Sequence, residues 1–159
     1  MSVAFTREED VEAAAAYLPD RAISTHPNLV TASGLALLDA ALAAARAAFG
    51  EAQAAGSVGA DRSAMARASR DLRYYSARRA SAQLVVLAPS GSAVQFGDSV
   101  TFEREDGRRQ TFRIVGEDEA DAAQGSVSYV SPLARALLGK AVGEHATVAG
   151  GEIEIVWLT

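Results

Sequence analysis

The side chains able to do chemistry are unevenly spread along this chain. Between Asp61 and Ser81 six arginines (Arg62, Arg67, Arg70, Arg73, Arg78, Arg79) stand against Asp61 and Asp71, and both flanking regions are acidic. The formal net charge of −5 argues against non-specific duplex DNA binding. The local cluster suits an acidic protein or a phosphate, and an ordinary solvated helix face explains it equally well. Glu117, Asp118, Glu119 and Asp121 form an acidic turn after a strand. A calcium loop needs regularly spaced ligands and a fixed glycine, and neither is present, so a solvated loop is expected. His26 and His145 are isolated, and the chain has no cysteine, which excludes disulfides, a thiolate nucleophile and Cys-based zinc. No nucleophile elbow or phosphate-binding glycine loop occurs. The expectation is a protein with no catalytic group, cofactor or metal of its own.

The elements that would carry these groups follow from periodicity and punctuation. Thr6 and Glu9 form a capping-box pattern that opens a short helix to about Tyr17. Leu18-Pro19-Asp20 stops it, and residues 18–32 read as an extended strap packed on helices, with a partner-binding arm as the lesser alternative. In residues 33–55, Leu35, Leu38, Leu42, Ala45, Phe49 and Ala52 recur at alternating steps of three and four, a heptad seam. Gly56-Ser57-Val58-Gly59 breaks the helix. A second helix from about Asp61 to Ala82 repeats the seam with Met65, Ala68, Leu72, Tyr75 and Ala82, and Arg79 is its one misfit. Two seamed helices joined by a short turn make an antiparallel hairpin. No apolar run is read as long enough to span a membrane, and MSVAFTREED lacks the regions of a signal peptide, so a soluble cytoplasmic protein is expected.

After the Ala88–Ser92 linker the period changes to two. Val100 and Phe102 alternate with Thr101 and Glu103, Asp106-Gly107 marks a hairpin, and Phe112 and Ile114 alternate on the return. Gly125–Val130 is a third strand with Val127 and Tyr129 on one face. Ser131 caps a helix over residues 132–139, with Pro132 in its first turn. A last hairpin turns at Gly150-Gly151, with Ile153, Ile155 and Trp157 on one face. The fold class is α+β, with an amino-terminal helix and arm (1–32), an antiparallel helical hairpin (33–87) and a small antiparallel sheet covered by one helix (88–159).

The run Ser126–Lys140, SVSYVSPLARALLGK, together with RIVGEDEAD (Arg113–Asp121) and the glycine pair at 150–151, closely resembles the carboxy-terminal domain of the Gre (GreA/GreB) transcript-cleavage factors. The resemblance implies an FK506-binding-protein-like sheet domain and, as partner, bacterial RNA polymerase, entered through its secondary channel. It also implies that Val130, Ser131, Pro132 and Arg135 form a loop and helix start that dock on the channel rim. The acidic turn becomes a further surface facing the polymerase. A basic hairpin face approaches RNA in this family, so Arg67, Arg70, Tyr74 and Arg78 become candidates for nascent-RNA contact through phosphate and base.

Family members hold a metal at the hairpin tip with two acids in a pattern like G-D-L-x-E-N, because hard Mg²⁺ takes carboxylate oxygens and phosphodiester hydrolysis takes metal-activated water. Here the tip reads Gly56-Ser57-Val58-Gly59-Ala60-Asp61. Ser57 and Ala60 replace the two acids, and Asp61 reads as a helix cap. The first helix falls short of the family pattern by roughly eight residues, about 12 Å of reach at ~1.5 Å each. The reading is an RNA polymerase-binding elongation regulator without transcript-cleavage activity, with no metal, cofactor or membrane partner. The alternatives are a cleavage-stimulating factor with relocated acids (Asp61 with Glu51) and an interaction module that does not meet polymerase.

Overall fold

A computed structural model describes residues 18–55, 62–89 and 91–159. The expected helix before Tyr17 and the tip residues Ser57, Ala60 and Asp61 lie outside the described residues. In chain order the elements are β1 (Leu29–Val30), α1 (Ala32–Ala54), α2 (Arg62–Ser81), β2 (Gln83–Leu84), β3 (Ser99–Arg104), β4 (Arg109–Val115), β5 (Ser126–Ser128), α3 (Pro132–Leu137), β6 (His145–Val148) and β7 (Gly151–Leu158). They fall into two compact units. One holds the chain up to Thr25 and residues Leu38–Ser81; the other holds His26–Leu37 and Ala82–Thr159.

In the hairpin unit the predicted seam is the buried stripe. Leu38, Leu42 and Ala45 of α1 and Ala68 of α2 are buried, with Phe49, Ala52, Met65, Leu72 and Tyr75 half-buried. The misfit Arg79 reaches across the pair to an ion pair with Asp39. Alanine makes α1 long and apolar enough, by length and composition alone, to cross a membrane, which corrects the expectation that no segment would be.

In the sheet unit five strands run in the order β5-β4-β3-β7-β6. The β4–β3, β3–β7 and β7–β6 pairs are antiparallel, as expected, whereas β5 joins β4 in parallel. The acidic turn carries the chain from the end of β4 back toward its start, beside Arg113, so the strand that follows runs the same way. Val94, Val100, Phe102, Ile114, Ala134, Leu137, Ala146, Ile153 and Ile155 form the core, with α3 supplying Ala134 and Leu137. Burying each of the large members contributes about 1.5–3 kcal/mol.

Two local expectations fail for a geometric reason. The last hairpin pairs Val148 with Gly151, so its two-residue loop is Ala149-Gly150, one residue earlier than read. Both loop residues have positive φ, 50° at Ala149 and 79° at Gly150, the handedness that matches strand twist in a tight hairpin. Ala149→Asn, a residue that tolerates this region, is expected to stabilise the unit by about 0.5–1 kcal/mol, read as a higher thermal midpoint. Trp157 was expected beside Ile153 and Ile155, yet it is 63% exposed. On β7, Ile155 pairs with Phe102 and Trp157 with Thr101, leaving Val156 without an opposite residue. That bulge resets the alternation and turns Trp157 to the outer face.

A short parallel ribbon, Leu29↔Gln83 and Val30↔Leu84, completes this unit and was not legible in sequence. Gly116 lies against it: a Cβ there would sit 2.4 Å from the Leu29 carbonyl oxygen. Thr31 caps α1, its Oγ accepting from the Gly34 N–H at 3.0 Å. Glu119 then accepts from the Thr31 hydroxyl and from the Ser33 hydroxyl, each at 2.5 Å. The acidic turn is therefore not a solvated loop throughout. Glu119 fastens the start of α1, and Asp121 caps the following 3-10 turn by accepting from the Ala123 N–H at 3.0 Å.

Candidate functional site

The strand-to-helix corner is built from backbone rules. After β5, Tyr129 donates its N–H to the Val115 carbonyl at 2.9 Å and its hydroxyl to the Pro27 carbonyl at 2.5 Å, while its ring meets Phe96 edge-on. The Val130 N–H goes to Ser128 Oγ at 3.2 Å and the Ser131 N–H to the Ser128 carbonyl at 2.9 Å, which turns the chain sharply. Ser131 caps α3 as predicted, accepting from the Ala134 N–H at 3.2 Å with Pro132 in the first turn. Ala134 and Leu137 are fully buried, so α3 cannot rotate without opening the core. Val130 and Ser131 are half-buried, and Pro132 and Arg135 are exposed. The four residues singled out from sequence thus form one corner whose backbone is fixed and whose Pro132 ring and Arg135 guanidinium face solvent. Such a corner suits docking against a preformed surface, since little ordering cost remains.

The arginine face of α2 differs from its reading in sequence. The strap of residues 18–25 lies on it, as the strap reading expected. The Asp20 carboxylate contacts Arg73 at 2.6 Å, and Arg21 contacts Asp71 at 3.5 Å. The Arg21 guanidinium sits 3.7 Å from the centre of the Tyr74 ring and 5.1 Å from that of Tyr75. A hydrogen bond with Tyr75 is the main cause that raises the Arg21 pKa, against a smaller lowering by burial. Arg70 pairs with the neighbouring Asp71 at 3.3 Å. Arg78, named from sequence as an RNA contact, is only 2% exposed, and an inward guanidinium cannot meet an RNA phosphate. One face of Tyr74 is taken by Arg21. Of the four residues Arg67 is exposed and Arg70 half-buried. The signal that would have shown this was Arg21 itself, a cation placed in a strap ahead of a Tyr-Tyr pair.

No group of three or more histidine or acidic residues able to hold a metal occurs among the described residues.

The description "Transcription elongation factor, GreA/GreB, C-term" matches residues 88–157, which contain the whole corner. Over this stretch the chain is similar to the carboxy-terminal domain of the GreA/GreB factors. Transcription elongation factor GreA of Hyphomonas neptunium is 55% identical over 60 residues, covering 37% of this chain and 38% of that protein. GreA of Anaeromyxobacter sp. (strain K) is 47% identical over 79 residues, 47% and 48% of the two chains. GreA of Desulfovibrio desulfuricans is 40% identical over 90 residues, 55% and 54%. The chain therefore spans about half or less of the length of these GreA relatives. Among solved structures, GreA factor homolog 1 (Gfh1) of Thermus thermophilus is 23% identical, with 84% of this chain and 99% of that chain covered at a TM-score of 0.39. GreA/GreB from Nitrosomonas europaea is 18% identical, covering 85% and 99%, also at 0.39. The stretch matched by the family description, residues 88–157, lies within the sheet unit.

Proposed function

We propose that this chain is an RNA polymerase-binding regulator of transcription elongation that does not stimulate transcript cleavage. The observation that carries the reading is the tip sequence: Ser57 and Ala60 stand where the family pattern has its two acids, and neither supplies an anionic ligand. Asp61 alone is a weak Mg²⁺ site. In this reading the protein is soluble and cytoplasmic. Its sheet domain (88–159) docks at the secondary channel through Val130, Ser131, Pro132 and Arg135, and its short hairpin (33–87) occupies the outer part. Arg67 and Arg70 are the residues left to meet nascent RNA.

Two measurements on one preparation test this. Stalled, backtracked polymerase incubated with the protein is expected to show no RNA shortening above background. Shortening that disappears in Asp61→Ala overturns the reading in favour of relocated acids. Core polymerase is expected to retain the protein, and Pro132→Ala combined with Arg135→Ala should weaken retention about tenfold, since truncating a few central contacts removes most of a small interface. Undiminished retention removes the corner from the proposal, and no retention of the unaltered chain leaves an interaction module with another partner.

A further inference from the structure

The strap of residues 18–25 lies on α2, and none of its side chains is buried. Leu18, Arg21 and Ser24 are half-buried, whereas Pro19, Asp20, Ala22, Ile23 and Thr25 are exposed. What the strap sets against the helix is charge. The Asp20 carboxylate meets Arg73 at 2.6 Å, with both side chains more than half exposed. Arg21 meets Asp71 at 3.5 Å and lies 3.7 Å from the centre of the Tyr74 ring. Exposed ion pairs are individually weak and screened by salt, and a cation on a solvated aromatic face adds little more. Two residues further on, the chain is held differently. The Pro27 carbonyl accepts from the Tyr129 hydroxyl, and Asn28, Val30 and Thr31 are buried. The strap therefore has a firm end at Pro27 and a labile face on α2.

The surface beneath it favours an anion with more than one charge. Arg67, Arg70 and Arg73 follow one another at steps of three, which makes them neighbours along one side of α2. Asp20 brings that row a single carboxylate, while Asp71 is shared between Arg70 and Arg21. A ligand with several linked phosphates meets two guanidiniums at once, which one carboxylate cannot.

We propose that residues 18–25 are an ion-held cover on α2, which lifts when an anion carrying several phosphates replaces Asp20 on Arg73 and so bares the Arg73–Tyr74 surface. This is independent of any polymerase contact.

Trypsin reads the cover directly. It cuts after Arg21 when that guanidinium has left Tyr74 and Asp71 for the protease pocket. The cleavage rate in the full chain is taken relative to a synthetic peptide of residues 16–27 in the same tube, which cancels effects of salt on the protease. This relative rate is expected to rise about fivefold between about 0.05 M and about 0.5 M sodium chloride, where exposed pairs become screened. Sodium tripolyphosphate at the same ionic strength should raise it about twice as far, because linked charges bind together. Asp71→Asn should raise it about threefold at low salt and blunt the response to chloride. Arg73→Gln, at an exposed position, should remove the excess of tripolyphosphate over chloride. A relative rate unmoved by salt and by Asp71→Asn overturns the cover. Equal rates in the two salts overturn the anion as what lifts it.

Discussion

Gly116→Ala is expected to cost the sheet unit about 3 kcal/mol, at the upper end of overpacking penalties. A Cβ at this position meets the Leu29 carbonyl oxygen at 2.4 Å, with the Leu29 carbonyl carbon at 3.5 Å and Val30 Cα at 3.6 Å. All three atoms are backbone, so no side-chain rotation relieves the clash. Leu29 is also held in place by its pairing with Gln83, and the flanking Gln83 N–H and Val85 N–H bonds to Asn28 and Val30 (2.8 and 2.9 Å) resist a shift. Urea unfolding followed by circular dichroism measures the loss. Gly50→Ala is the control: nothing lies within 4 Å of its Cβ position inside α1, near its carboxy-terminal end, so alanine there should stabilise by about 0.5–1 kcal/mol. If Gly116→Ala also leaves stability within about 0.5 kcal/mol of the parent, the threshold for an ordinary surface change, the close approach is not a constraint on the fold.

Glu119→Ala has the second-largest expected effect, a loss of about 2–3 kcal/mol, because hydrogen bonds to a charged group contribute about 1.5–3 kcal/mol each and one of the two here is at an exposed serine. The carboxylate accepts from Thr31 and Ser33 at 2.5 Å each, and Thr31, only 1% exposed, loses a partner for a buried hydroxyl. The negative charge also sits at the amino end of α1, where the helix dipole favours it. Glu119→Gln keeps an acceptor and should lose roughly half as much, since neutral hydrogen bonds contribute about half as much as charge-assisted ones. Hydrogen exchange at the first turn of α1 checks this directly: protection should fall there and persist at Ile114 and Ile155 in the core. An unchanged first turn would mean that Thr31 caps α1 without help. Gly116 and Glu119 lie on one turn, so their combined cost should be less than the sum.

The corner shows what local rules reach unaided. Ser131 and Pro132 encode a helix start through hydroxyl geometry and a fixed φ, and both operate within four residues. Strand alternation located Val100, Phe102, Ile114, Ile153 and Ile155 in the core because each contact face repeats with the pleat. The heptad spacing likewise located Leu38, Leu42, Ala45 and Ala68. Trp157 escaped the same rule because one unpaired residue, Val156, is decided by how β7 fits β3 and not by β7 itself. The parallel direction of β5 and the role of Glu119 depend on where the acidic turn returns, which is a long-range matter.

By itself the sequence determined the seamed helices, the half-buried strands and the capped corner, since each rests on interactions between near neighbours. Only the tertiary structure decided that Arg78 is buried, that Arg21 covers Tyr74, that Trp157 faces outward and that Glu119 holds α1. Each of these joins residues far apart in the chain, and no periodicity records which distant partner a side chain will meet.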